Sequence, residues 1–333
     1  PIVISHLGDP GAGGDSRATR EEISRDFSLR PVADALEPRF PGRFAFHETS
    51  VAASGLLIGK KDLAPGSVNL LENLRFASGE RDNDDAFARA LAELSDGAFV
   101  NDAFNVCHRR HASITGVPKF AARRLAGPLV ARELAALEGL LEMPRRPFAA
   151  VFNGGETGAL SGVMAALLPR VETLAILAGA DSAGHHALES AEAEPRIEES
   201  AIRSLMEAAP DKVLAAGMYQ GNREARAETL PLRLGGAETI LWFGAAQLAR
   251  LGSDAALGDS RAALASAVAS LHAAARRGVR VIVCSEEDRG FAAPPGLNLH
   301  ISSGPRAFAE YLERLSLPGI TALDPADRRS SPN

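Results

Sequence analysis

Cysteine is nearly absent from this chain: Cys107 and Cys284 are the only two in 333 residues. They lie far apart and form no metal or redox spacing, which excludes a disulfide-stapled scaffold and fits a reduced, cytoplasmic protein. A basic excess is also missing. Lys and Arg number 36 against 42 Asp and Glu, a net charge of −6, and that balance argues against a nucleic-acid partner. No apolar run reaches spanning length, so no membrane partner is expected. No charged-then-apolar leader precedes a cleavage site, so no secretory signal is expected. Repeats of solenoid period are lacking as well. What remains is 46% hydrophobic content, enough over this length for two ordinary cores.

Short β-rich apolar runs alternate with helical periodicity, the pattern of parallel sheets with crossover helices. In the first half, strands are predicted at Ile2–Ser5, Arg43–His47, Val68–Glu72 and Ala98–Asp102, and helices at Leu29–Leu36 and Asp85–Leu94. A helical stretch is predicted from Lys119 to Leu141, kinked at Gly127-Pro128. The Pro-rich run Met143–Pro147 breaks the pattern and sets a domain boundary. Beyond it, strands are predicted at Phe148–Phe152, Thr173–Leu177, Lys212–Ala215, Thr239–Phe243, Val279–Val283 and Asn298–Ile301. Helices are predicted at Ser161–Leu168, Ile197–Ala208, Ser260–Arg277 and Pro305–Leu315. The expected fold is two doubly wound (Rossmann-like) parallel-sheet domains joined by a helical hinge. Residues 1–142 form one domain, 143–323 the other and 324–333 a polar tail. Ligands of such sheets sit beyond the carboxyl ends of the strands.

Three groups lie at such ends in the first half. His6 follows the first strand, Arg75 lies at the carboxyl edge of another that ends in Leu71–Phe76, and Arg109 follows Asn101-Asp102. Converging arginines suit a bidentate grip on carboxylate or phosphate, so a small organic or phosphate-bearing acid is the expected ligand. Cys107, His108 and His111 make no standard ligand set, so no metal is expected. The glycines of Gly11–Gly14 lack the Lys-Ser/Thr ending of a phosphate loop and read as a surface turn.

The runs SHLGDP, FSLRPVA, LLENLRF, VNDAF, HRRHAS and GVPKF occur in the order found in phosphoglycerate kinases. The segment Ala126–Gly155 and the later runs ETILWFG, LHISSG and LPGITAL extend the similarity to about Leu323. The chain thus resembles that family along nearly its whole length. The resemblance implies that His6, Arg75 and Arg109 help hold 3-phosphoglycerate, and that Mg-ATP is the cofactor wherever the family activity is retained. Asp9 stands where the family has an Arg. Beside a phosphate this exchanges attraction for repulsion, each interaction being on the order of 4 kcal/mol at ~4 Å and an effective dielectric of ~20. The family also has a strand, a helix and a catalytic Arg ahead of SHLG. This sequence opens at the strand Pro1–Ser5 without them, so loss of that cation and of one strand is expected.

The nucleotide half departs further. The family's Gly-Gly-Ala-Lys-Val-Ser-x-Lys loop reads Gly154, Gly155, Glu156, Thr157 and on to Gly162 with no Lys. Phosphoryl transfer depends on positioning and charge neutralisation, and Glu156 opposes both. The Trp-Asn-Gly-Pro turn is Trp242–Ala245, including Gly244, and Gly179 follows the Thr173–Leu177 strand. The Gly-Gly-Gly-Asp-Thr turn becomes Cys284 to Asp288, where Glu286, Glu287 and Asp288 at an expected helix start would repel a triphosphate. The last glycine turn reads Ser302–Arg306 with Gly304 and Pro305, and Pro305 removes a backbone donor. Together these changes predict a vestigial nucleotide site and a non-catalytic or strongly impaired relative, one that binds a protein partner if it serves as a scaffold. The alternatives are a working phosphotransferase making an acyl phosphate from ATP and 3-phosphoglycerate in glycolysis, or an enzyme repurposed for another ligand.

Overall fold

The computed structural model describes residues 1–10, 26–153, 160–177, 199–216, 230–246, 248, 262–288, 291 and 295–324. The chain forms two compact units. The first comprises Pro1–Val130 with Leu317–Asn333, and the second Ala131–Ser316.

In the first unit, strands β1 (Ile2–Val3), β2 (Phe44–His47) and β5 (Val68–Leu71) form a parallel sheet in the order β1-β5-β2. Ile2 pairs with Asn69 and Phe44 with Val68. A small antiparallel hairpin, β3 (Val51–Ala52) with β4 (Gly55–Leu56), lies in the chain between β2 and β5. Helix α1 (Arg30–Leu36) covers one face of this sheet, where Leu29, Ala33 and Leu70 cluster with Phe44 and Phe46. Two helices follow β5: the short α2 (Ser78–Arg81) and α3 (Asp85–Glu93). Asp84 caps α3 by accepting the Phe87 N–H at 2.7 Å, the usual role of a carboxylate at that position. The apolar stripe Phe87, Ala88, Leu91 and Ala92 then packs on Leu71, Leu74 and Phe99, as i, i+1, i+4, i+5 spacing requires. Strand β6 (Ala98–Asn101) alternates exposed and buried residues.

Beyond β6 come α4 (Val117–Phe120), β7 (Arg123–Ala126) and α5 (Pro128–Leu141). The expected continuous helical stretch from Lys119 to Leu141 is therefore corrected: a strand parallel to β6 interrupts it. The Asp102 carboxylate starts α5 instead, accepting the Leu129 and Val130 N–H groups at 2.6 and 3.1 Å. The division between units falls within this helix, between Val130 and Ala131. Residues 143–147 form an irregular connection out of α5.

The second unit holds a six-stranded parallel sheet made of β8 (Phe148–Asn153), β9 (Thr173–Leu177), β10 (Val213–Ala216), β11 (Thr239–Phe243), β12 (Arg280–Cys284) and β13 (Leu299–Ile301). Their order is β10-β9-β8-β11-β12-β13. Every residue of β9 and β11 is buried, as are Phe148–Phe152 of β8, the mark of a parallel strand covered on both faces. The described helices are α6 (Ser161–Leu167), α7 (Glu199–Ala208), α8 (Leu230–Gly235), α9 (Ala262–Arg276) and α10 (Pro305–Arg314). Strand order reverses at β8, between β9 and β11, so the carboxyl ends of β8 and β11 mark the switch point where such sheets take ligands. Helix α11 (Pro318–Thr321) belongs to the first unit, where the Gly319 N–H donates to the Cys107 carbonyl at 2.8 Å.

Candidate functional sites in the two units

In the first unit, three strand-end segments meet around a buried carboxylate. His6 follows β1, Arg75 opens the turn after β5, and Arg109 lies in the segment after β6. Glu80 of α2 is wholly buried, and its Oε1 accepts the His6 Nε2–H at 2.7 Å and the Ser113 hydroxyl at 2.6 Å. Its Oε2 accepts the Ser113 backbone N–H at 3.0 Å. His111 Nδ1 stands 3.7 Å from the same carboxylate, and the His6 and His111 rings meet edge to face at 5.6 Å. Burial drives the His111 pKa down to about 4 against the pull of Glu80, with His6, Arg75 and Arg109 pushing the same way as burial.

The loop after β1 is pinned from below. Asn73 donates to the Leu7 and Phe27 carbonyls at 2.8 and 2.9 Å, and its side-chain oxygen accepts the Arg75 N–H at 3.0 Å. The Arg75 guanidinium donates to the Gly8 carbonyl. Gly8 has φ +56°, and a Cβ there would meet the Phe27 ring at 2.4 Å, so a side chain at this position clashes as well as strains. Burial lowers the Arg75 pKa, Arg109 lowers it further, and Asp9 opposes both. Among the described residues neither Arg75 nor Arg109 has a carboxylate partner. The Asp9 carboxylate, expected to face an anion as a bare repulsive charge, is bound by Arg81.

His6, Glu80 and His111 present three ligand-type atoms within 4.8 Å of one another. A divalent cation placed there would have to displace the His6 proton from Glu80 and sit in the field of Arg75 and Arg109. The local charge favours an anion. Sequence spacing missed Glu80, Arg81 and Ser113 because their partners lie far off in the chain. His6 is 74 residues from Glu80, and nothing local distinguishes Glu80 from a solvated helix residue.

At the switch point of the second unit, Gly244 has φ +95°, and a Cβ on it would lie 1.7 Å from the Asn153 carbonyl oxygen. The ends of β8 and β11 thus touch backbone to backbone. Asn153 Nδ2 and Trp242 Nε1 both donate to the Ala245 carbonyl, at 3.0 and 3.3 Å. Asp288 is buried. One oxygen accepts the Ala246 N–H at 2.7 Å and the other the Leu248 N–H at 2.8 Å. Its own N–H donates to the Ser285 hydroxyl at 3.2 Å. Glu286 and Glu287 are exposed, in a bend and turn where a helix start was expected. Gly304 is the N-cap of α10 with φ −145°, and its N–H donates to Ser302 Oγ at 3.2 Å. Gly154, Gly155, Glu156, Thr157 and Gly179 lie outside the described residues.

The phosphoglycerate kinase family model matches residues 1–215. Phosphoglycerate kinase from Synechococcus sp. (strain JA-2-3B'a(2-13)) is 32% identical, over 98% of this chain and 85% of that protein. The phosphoglycerate kinase of Salinispora arenicola (strain CNS-205) is 34% identical, over 97% of this chain and 85% of its own length. Among solved structures, phosphoglycerate kinase from Coxiella burnetii superposes with a TM-score of 0.66 at 24% identity, over 99% of this chain and 86% of that one. The enzyme from Pyrococcus horikoshii OT3 gives 0.67 at 18%, over 97% and 85%; these two likenesses establish the fold. With two parallel-sheet α/β units, relatives above 30% identity along nearly its full length and a family match over most of it, the chain belongs to the phosphoglycerate kinase family.

Proposed function

We propose that this family member retains an acid-binding site in its first unit and has lost, or strongly impaired, phosphoryl transfer from Mg-ATP. One observation carries the reading: the carboxylate of Asp288 caps the loop that leaves β11, one of the two strands bounding the switch point of the second sheet. Backbone N–H groups at such a point are where a doubly wound sheet holds an anion. Here the Ala246 and Leu248 donors are spent on a side chain of the protein itself. An incoming phosphate would meet a negative charge in place of two donors. The Gly154–Gly162 loop, without lysine, gives no cation to offset it. The acid site of the first unit then offers a shape and an acid grip to a ligand or protein partner, in place of catalysis. Two buried, unpaired thiols fit a reducing compartment, and we place the protein in the cytoplasm. No described helix is long and apolar enough to cross a membrane.

Calorimetric titration of Mg-ATP at low salt tests this directly. No saturable binding is expected, and micromolar affinity would sink the proposal. Replacing Glu156 and Thr157 together by Lys should not restore turnover, because Asp288 still caps the loop after β11.

A second reading has an observation of its own. Arg75 and Arg109 are near enough to depress the Arg75 pKa, and neither is neutralised by a described carboxylate. Such a pair is suited to an anion, as an active transferase forming the glycolytic acyl phosphate from ATP and 3-phosphoglycerate would need. A coupled assay with both substrates separates the two readings.

A further inference from the structure

Glu80 occupies an unusual position among the acid-site residues. It lies on α2, on the same chain segment as Arg75, and its carboxylate reaches both other segments: His6 after β1 and Ser113 beyond Arg109. An ionised carboxylate only accepts hydrogen bonds, and a wholly buried one is tolerable only when its acceptors are filled. Each of those donations is therefore required. His6 Nε2 must carry a proton, and the segment bearing Arg109 must lie where Ser113 can present both its N–H and its hydroxyl.

We propose that Glu80 is the positioning residue of the acid site, fixing His6 as an Nε2–H donor and tying the segments of His6, Arg75 and Arg109 to one another. The proposal rests on the reading of those three residues as acid holders. With Nε2 committed to Glu80, Nδ1 is the nitrogen left for a ligand. A carboxylate or phosphate oxygen accepts hydrogen bonds, so it selects the ring that also carries a proton on Nδ1. The charged and titratable groups facing the cluster are His111, Arg75 and Arg109, with the Asp9–Arg81 pair on the same side of the unit. His111, held neutral by burial, does not compete with His6 as a cationic partner of Glu80.

The experiment compares wild-type protein with Glu80→Gln, using histidine ring ¹⁵N spectra and titration of 3-phosphoglycerate and inorganic phosphate between about pH 5 and 8. The wild-type neutral His6 ring should show the Nε2–H tautomer. In Glu80→Gln an Nδ1–H population should appear, because an amide donates as well as accepts. Acid affinity should fall about tenfold, as for loss of one charge-assisted hydrogen bond. A variant that keeps the wild-type ring signature and binds acid within about twofold overturns the proposal. Should Glu80→Gln fail to fold, Ser113→Ala keeps the carboxylate and its bond to His6 while removing one of the two bonds that tie the Arg109 segment, the hydroxyl's, and leaving the backbone N–H bond. It should lose acid affinity with the His6 signature intact, and undiminished affinity overturns the tie between segments. If wild-type protein binds neither probe, the acid reading fails by itself. The ring signature of Glu80→Gln then still decides whether Glu80 sets His6.

Discussion

Replacing Asp288 by Ala should destabilise the second unit by about 2–6 kcal/mol. The magnitude follows from two backbone donors, the Ala246 and Leu248 N–H groups, which the Asp288 carboxylate accepts at 2.7 and 2.8 Å. Both residues are buried, at 0% and 1% exposure, so water cannot replace the lost acceptor. A buried donor left unpaired costs ~1–3 kcal/mol, and two are stranded together. Against the ~5–15 kcal/mol that holds an ordinary domain, the loss is large. Trp242 supplies the assay: it is the only tryptophan, it is fully buried in the second unit's core, and its indole N–H bonds the same loop. Its fluorescence in a urea titration reports this unit alone. Asp288→Asn should cost roughly half as much, since an amide oxygen can keep one of the two N–H groups. An Asp288→Ala midpoint within ~0.5 kcal/mol of wild type would refute the reasoning. It would mean that the loop supplies another acceptor and that the carboxylate is incidental to the switch point.

Gly244→Ala should be worse than an ordinary turn substitution, because its Cβ would lie 1.7 Å from the Asn153 carbonyl oxygen; Trp242 fluorescence should show a loss of ~3 kcal/mol or more, or no folded second unit at all. Acid should weaken the first unit. The His111 pKa is depressed to about 4, so below about pH 6.5 the unfolded chain binds a proton the native site refuses. That stability is intact above about 6.5 and is lost as pH falls toward 4, by on the order of 1–3 kcal/mol. His111→Gln should flatten this slope in a pH series of urea melts, while the buried His272, also depressed by burial, keeps a slope of the same sign in the second unit. Neither thiol should react with a thiol reagent in native protein, since burial pushes Cys107 up to about 12 and Cys284 well above its ordinary value. Rapid labelling of either before unfolding would contradict the packing around it.

The second sheet was readable because its central strands are continuous apolar runs. Phe148–Phe152, Thr173–Leu177 and Thr239–Phe243 have no alternation to confuse, and Gly, Pro or charged residues bound each one. Strand β7 was not readable. Its sequence, Arg123-Arg124-Leu125-Ala126, carries two arginines and only one large apolar residue. The strand is held by pairing with β6 and by the Arg124 guanidinium on the Ala322 carbonyl at 3.1 Å, a partner from the far end of the chain. Local periodicity instead extended the helix α5 backward across it. The hairpin β3–β4 escaped for a related reason. Two-residue strands offer no window in which a period can be seen.

For the sites, the sequence was informative about residues and poor about partners. His6, Arg75 and Arg109 could be placed because each follows a strand that the pattern revealed. Their environment could not, because the groups that define it are joined across 72 and 33 residues, from Arg81 to Asp9 and from Ser113 to Glu80. This matters most for acidic side chains, whose meaning depends on what donates to them. Asp9, read as a repulsive charge beside an anion, is bound by an arginine that the same fold brings to it. Asp288, read as one of three like charges at a helix start, is a buried acceptor that closes a loop. Glu80, read as nothing in particular, links three segments. The fold gives each of the three carboxylates a different charge environment. A substitution at any of them therefore has to be judged by counting the donors it strands, since counting charges would treat all three alike.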